Sequence, residues 1–299
     1  MASVQDLKRR VRSVRNTRKI TKAMELVASA RLRRAQARIE AMRPYADRML
    51  ELMGGVARVS ASPQRLPLLQ RRDPQTTAIV AVTGDRGLAG GFNAQVLRRA
   101  MALGRELEAD GQSVRWLVSG RKGRSTLAFR RYELAADWTG FSDRPAYSDA
   151  QAIAHRLADL YVNGEVDRVI VVYNHFESAL VQKVTEQEVL PIPEHLLETD
   201  DAERAEAAER GDFIYEPEPE EILERLLPVY LETEIFRALL ESAASEQGAR
   251  MTAMRNASKN AAELIDSLTL AMNRARQAEI TQEILEVVAG ADALGESAA

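Results

Sequence analysis

The chain has no cysteine, which excludes disulfides, thiolate metal ligands and cysteine nucleophiles. Aromatic residues are scarce, at 5% of 299 residues, and there are only three histidines, 16 glycines and 10 prolines. That composition does not fit collagen, a Pro-rich scaffold or a disordered chain. With 45% hydrophobic and 28% charged residues, many of them Ala, Leu, Glu and Arg, the balance leans toward long helices with a real core. Long apolar runs are missing as well. The longest, Ala78 to Val82 and Val169 to Tyr173, have five residues each, against the roughly 20 needed to cross a bilayer. The first residues, Met1 to Lys8, carry Asp6 and no apolar stretch before a cleavage site, so no secretory signal is expected and the chain is placed in the cytoplasm.

Catalytic motifs are scarce too. The histidines, His155, His175 and His195, stand twenty residues apart and none belongs to H-E-x-x-H, so no metal site is readable. Neither G-x-x-x-x-G-K-[ST] nor G-x-S-x-G occurs. One loop, Gly84 to Asn93, follows a strand pattern and precedes a helix pattern, where nucleotide enzymes hold phosphates. Its spacing is not G-x-G-x-x-G, and a tight turn with close backbone packing is the preferred reading. Gly120 to Arg124 could grip an anion at a helix start, but a solvated turn between strand and helix is preferred there. The sequence implies no cofactor.

What is present is charge segregation and period. The net charge is −3, yet residues 1–38 hold twelve Lys or Arg against Asp6 and Glu25. Between Glu186 and Glu234, seventeen acidic residues face three arginines. Such asymmetry points to a polyelectrolyte or to charged protein neighbours.

Three segments follow from the hydrophobic period. Ala28, Leu32, Ala35, Ile39, Met42, Ala46, Met49, Met53 and Val56 alternate four and three residues apart, a coiled-coil seam. Val4, Leu7, Val11 and Val14 begin the same rhythm, but its continuation falls on Arg18, Thr21 and Glu25, while Ile20, Met24 and Val27 offer a shifted stripe. A slip of the seam is expected there. The helix runs from Ser3 to Val56, about 80 Å, and Pro44 is a candidate bend.

In the middle, Thr77–Val82, Val114–Val118 and Val169–Tyr173 are short apolar strand patterns separated by helical stretches near Ala94–Ala109 and Ala150–Tyr161. They predict a mostly parallel sheet covered on both faces, with a further half-buried strand over Ala179–Val189. Pro191 to Gly211 reads as an acidic mobile loop.

A last helix starts near Pro219. Its seam runs through Met251, Met254, Ser258, Ala261, Ile265, Leu268, Met272 and Ala275, and persists through Ile280, Ile284 and Val287 to Gly290. The fold class is therefore α/β: a long antiparallel two-helix coiled coil of the terminal helices, with a Rossmann-like α/β domain inserted. The segments are 1–60 (helix), 75–192 (α/β domain), 193–213 (acidic loop) and 214–299 (helix and tail).

Particular residues carry a family resemblance along nearly the whole chain. They are Ile20-Thr21-Lys22-Ala23-Met24-Glu25, Leu32-Arg33-Arg34-Ala35-Gln36, Arg43-Pro44-Tyr45, Asp85-Arg86-Gly87-Leu88, Gly90-Gly91-Phe92-Asn93, Ser245-Glu246-Gln247, Ala249-Arg250-Met251 and Ala275-Arg276-Gln277-Ala278. The strongest is Ile280-Thr281-Gln282-Glu283-Ile284-Leu285-Glu286, closed by Gly290-Ala291. The chain resembles the gamma subunits of F-type ATP synthases.

The resemblance implies a central-stalk rotor subunit of a proton- or sodium-translocating enzyme. Such a subunit transmits torque between the membrane ring of c subunits and the catalytic hexamer of alpha and beta subunits, with the epsilon subunit beside it at the foot. Catalysis then belongs to the partners, membrane contact is made only through them, and no nucleic acid is implied. The expected location is the cytoplasmic face of a plasma membrane, as a peripheral, bacterial-type component. The resemblance further implies beta-subunit contacts at Lys22, Met24, Glu246, Arg250, Arg276, Gln277 and Thr281, and c-ring contacts at Tyr215 and Glu216. The family's redox-regulated branch carries a cysteine pair that this chain lacks, so thiol control is excluded. The competing readings are a nucleic-acid-binding coiled coil that uses the basic N-terminal helix and, behind it, an enzyme built on the Gly84–Asn93 loop.

Overall fold

The computed structural model describes residues 3–60, 65–193 and 217–296. The acidic loop assigned to 193–213 lies, beyond Pro193, outside the described residues, as do Tyr215 and Glu216. In chain order the elements are α1 (Val4–Val59), β1 (Thr76–Val82), α2 (Phe92–Ala109), β2 (Ser113–Ser119), α3 (Arg121–Phe129), β3 (Leu134–Trp138), α4 (Tyr147–Val162), β4 (Arg168–Phe176), β5 (Gln182–Leu190) and α5 (Pro219–Glu296). Neither Pro44 nor Pro228 interrupts its helix. The chain divides into two compact units. One joins the residues up to Val27 with those from Met251 onward, and the other is Ala28–Arg250.

In the first unit the opening turns of α1 pair with the second half of α5 and run antiparallel, so that Arg255, early in this stretch of α5, bonds Glu25, late in this stretch of α1. Leu7 and Val11 on α1, and Met251, Met254, Ala261 and Ile265 on α5, are buried as the heptad pattern requires.

The seam does not move to the shifted stripe. Of the positions that continue the original register, Arg18 is exposed but Thr21 and Glu25 are buried, whereas Ile20 and Val27 of the shifted stripe are 60% and 53% exposed and Met24 is half-buried. Polar residues are tolerated in this seam because each finds its partners inside the unit. The Thr21 hydroxyl donates to the Arg18 carbonyl at 3.1 Å, and the Glu25 carboxylate accepts from Lys22 Nζ at 3.0 Å and Arg255 Nε at 3.1 Å. A buried carboxylate held by two cations offsets most of its desolvation cost. The hydrogen bond from Lys22 keeps the Glu25 carboxyl below its usual range, burial opposes this, and Arg255 adds to the lowering. The α5 seam also ends earlier than the pattern implied. Leu268, Met272 and Ala275 are half-buried, but Ile280, Ile284 and Val287 are exposed, because in this unit the antiparallel partner α1 starts only at Val4.

The second unit is a five-stranded sheet in the order β3-β2-β1-β4-β5, with the first four strands parallel and β5 antiparallel to β4. The apolar runs of β1 and β4 need cover on both faces, and they have it. Ala78, Val80 and Val82 point with Val169, Val171 and Tyr173 into a core closed by α4, α5 and the far end of α1. Ile79 and Ala81 point the other way, with Trp116, Val118, Ile170 and Val172, under α2 and Leu127 of α3. From Leu231 to Arg250, α5 is buried all round apart from half-buried Phe236, Arg237 and Ala249, so this stretch shows no polar stripe. The strand expected over Ala179–Val189 begins at Gln182, after a turn in which Ser178 N donates to the Val181 carbonyl. Strand β3 and helix α3 were not legible from the period analysis.

Candidate functional site

In an open parallel sheet, ligands bind outside the carboxyl ends of the strands where the strand order reverses. Here that point lies between β1 and β4, and α5 occupies it. Ser245 Oγ donates to the Asn174 carbonyl of β4 at 3.0 Å. The Glu246 carboxylate presses on Gly84, where a Cβ would fall 2.8 Å from it. The residual void beside Glu246, Ser242 and Thr83 is ≈ 10 Å³, room for no more than about one water.

The anion position at the start of α3 is also taken from within. Asp85 accepts the backbone N–H groups of Arg121 at 3.0 Å, Gly140 at 2.9 Å and Ser142 at 3.1 Å. Gly120 approaches so closely that a Cβ would lie 2.1 Å from the Thr83 carbonyl oxygen. The Gly84–Asn93 loop is thus a tight turn with close backbone packing, and the Gly120–Arg124 turn opens a helix capped by Asp85.

Burial alone would raise the Asp85 carboxyl, but the three backbone donors outweigh it and hold the group below its usual range. A depressed carboxyl stabilises the fold fully above the unfolded-state value, about 3.9, and loses that contribution as the pH falls through the lower folded value. Asp85→Asn is expected to cost about 2 kcal/mol at neutral pH and to flatten the acid limb of the stability curve below about pH 4. Urea unfolding of both chains across that range checks this; an acid limb identical to the parent's contradicts it.

The residues expected from sequence to face partners separate into two groups. Glu246 and Arg250 are 1% and 7% exposed. They pair with each other at 2.5 Å, and Arg250 also donates to the Gly87 carbonyl at 3.2 Å. Burial raises the Glu246 carboxyl above its usual range, opposed by Arg250. These two residues hold the β1–α2 loop against α5.

Lys22 and Met24, in contrast, are exposed and half-buried, and Arg276, Gln277 and Thr281 are exposed. The Thr281 hydroxyl donates to the Gln277 carbonyl at 2.9 Å. Arg276 lines a groove of ≈ 1500 Å³ along the helix pair of the first unit, whose walls carry nine Lys or Arg and a single acidic residue, Glu25. Six of the twelve basic residues of the N-terminal segment, Lys8, Arg12, Arg15, Arg18, Lys19 and Lys22, thus share this cationic groove with Arg255, Lys259 and Arg276 of α5.

His155 bonds Glu232 at 2.9 Å and His175 bonds Glu241 at 2.5 Å, while His195 lies outside the described residues. Among the described residues no group of His, Cys, Asp or Glu is arranged to hold a metal, and no helix is long and apolar enough to cross a membrane. Asp85, Glu25 and Asp143 are carboxylates with several partners to which the sequence assigned no role. Asp85 and Glu25 sit inside quoted motifs, Glu25 on a seam position where its charge reads as a slip, and Asp143 in a loop without signature.

Terminal helices paired in one unit, and clasping a sheet whose ligand crevice is filled by its own side chains in the other, define a helical stalk protein with an inserted α/β domain. The sequence profile of a family described as ATP synthase matches residues 3–294. The ATP synthase gamma chain of Moorella thermoacetica is 46% identical over 98% of this chain and 100% of that protein, and that of Synechococcus sp. is 43% identical over 98% and 99%. Among solved structures, the central stalk and c ring of the Tetrahymena thermophila mitochondrial ATP synthase includes a chain 29% identical, with a TM-score of 0.59, over 80% of this chain and 99% of that one. A chain of the Euglena gracilis mitochondrial ATP synthase, 17% identical, reaches a TM-score of 0.68 over 97% and 94%, a likeness of fold. The chain belongs to the ATP synthase gamma-chain family. The nucleic-acid alternative finds no support in these comparisons.

Proposed function

We propose that this chain turns as the shaft of a proton- or sodium-translocating F-type ATP synthase and carries torque between the c ring and the alpha/beta hexamer. The chain itself performs no catalysis. It works with the epsilon subunit at the cytoplasmic face of a bacterial plasma membrane, peripheral and held there by its partners. Residues 1–60 and 214–299 supply the shaft and its tail, 193–213 the acidic loop, and 75–192 the inserted α/β domain. The observation that carries this reading is the exposed apolar end of α5. Ile280, Ile284, Leu285, Val287 and Val288 are each 47% exposed or more, which is costly in water and suits a sleeve formed by other subunits. The filled crevice at β1 and β4 supports a non-catalytic role.

Lys22, Met24, Arg276, Gln277 and Thr281 meet the beta subunits in this reading, and Tyr215 and Glu216 meet the c ring. Glu246 and Arg250, given their burial, act by positioning the β1–α2 loop instead of by direct contact.

Arg276 is the most informative residue to change. No hydrogen bond or ion pair engages its guanidinium among the described residues, and its planar fork can hold a carboxylate in two-point fashion, which lysine cannot reproduce. In the assembled enzyme, Arg276→Ala is expected to lower ATP-driven pumping about tenfold, the scale of an interface hot spot. Arg276→Lys should restore some of it, and Arg274→Ala, also exposed, should do little. Equal and mild effects at positions 274 and 276 would remove the assignment.

A further inference from the structure

The loop between β3 and α4, residues 139–146, matches no motif, yet α1, α5 and the β1–α2 loop all reach it. Asp143 accepts from Arg31 Nη1 of α1 at 2.9 Å and from Gln247 Nε2 of α5 at 3.0 Å. Arg86 Nη1 of the β1–α2 loop is 3.3 Å from the same carboxylate and Arg250 Nη1 is 3.9 Å away. The loop is fastened further by Asp85, which takes the N–H groups of Gly140 and Ser142, and by Arg38 of α1, which donates to the Pro145 carbonyl.

The apolar core beneath the sheet resists separation, but apolar attraction has no direction and resists sliding poorly. Charge-assisted bonds converging on one carboxylate do have direction. We propose that Asp143 is a positioning residue of the rotor: it clasps the carboxyl edge of the sheet to α1 and α5 at once, so that a sideways force on the α/β layer enters both helices together. This rests on the shaft reading above.

The test uses the whole enzyme carrying Asp143→Asn, which removes the charge and keeps the shape. Protons pumped per ATP hydrolysed are expected to fall about threefold, the scale of a coupling mutation, with hydrolysis retained and amide exchange in 139–146 accelerated. Faster exchange with unchanged coupling would make Asp143 a local stabiliser and overturn the proposal; unchanged exchange would overturn it by showing that nothing was clasped.

A second variant decides the matter if the first does not assemble. Arg31→Cys with Asp143→Cys places two unique thiols in a cysteine-free chain. A reducible bis-methanethiosulfonate linker, chosen because an arginine reaches farther than a disulfide can, should hold coupling near the parent value, and reduction in the same sample should lower it. Equal coupling before and after reduction contradicts the clasp. Pumping by the parent enzyme, measured alongside, separates this outcome from failure of the shaft reading, since a parent complex that hydrolyses without pumping would count against the latter.

Discussion

Replacing Ile265 and Leu268 together by aspartate is expected to uncouple the enzyme, leaving ATP hydrolysis at a reduced but clear level while proton pumping disappears. Ile265 is buried in the helix pair of the first unit and Leu268 is half-buried one step along the same seam. Each aspartate removes apolar contact from the seam, a large-to-small loss of about 2–5 kcal/mol, and the cations of the groove that Ile265 lines offset only part of the cost of bringing its charge into the seam, enough to force apart helices that have only each other in this unit. Hydrolysis by the hexamer is expected to survive because, in the function proposed above, its chemistry does not use this chain. ATPase activity compared with ATP-driven acidification of vesicles checks the split, and normal pumping would place both residues outside the seam.

Gly120→Ala is expected to be the most damaging glycine-to-alanine substitution among the described residues of the second unit. Gly120 has φ +98, and a Cβ there would lie 2.1 Å from the Thr83 carbonyl oxygen and 2.7 Å from the Thr83 hydroxyl. Backbone cannot swing aside as a side chain can, so strand β1 and the start of α3 must separate. The strain of a positive φ alone costs about 1–3 kcal/mol, and the clash brings the total to about 4 kcal/mol or more. Gly140→Ala is the control, since its φ is +106 and nothing lies within 4 Å of the added carbon, so only the strain remains. Thermal unfolding of the two variants separates the contributions; equal losses at both sites would mean that the close approach at Gly120 is relieved at no cost.

The terminal helices and the buried strands were legible because their periods reflect burial directly. Val80 and Val171 lie in runs apolar on both faces, and Met254, Ala261 and Ile265 keep heptad spacing. Strand β3 was not legible, since Leu134-Ala135-Ala136-Asp137-Trp138 is only partly covered and alternates weakly. The slip expected at Thr21 and Glu25 has one physical cause: polarity in a period stands for exposure, and a polar group whose partners lie inside the unit breaks that equation. The same equation misplaced Ile280, Ile284 and Val287, which are apolar and uncovered within this chain. At the candidate site, motif matching brought out Glu246 and Arg250 but not that they are spent on each other and on Gly87. Asp143 was invisible because its partners at 31, 86, 247 and 250 are brought together only by the fold.

The central claim is that this chain rotates inside a catalytic hexamer. The absence of cysteine allows one thiol to be introduced at Val181, which is half exposed at the β4–β5 turn, as the only attachment point for a bead. With the hexamer fixed to a surface through its beta subunits, addition of ATP is predicted to turn the bead in one direction, in steps whose rate follows hydrolysis. Steady hydrolysis by a complex that retains this chain while the bead remains still would contradict the account.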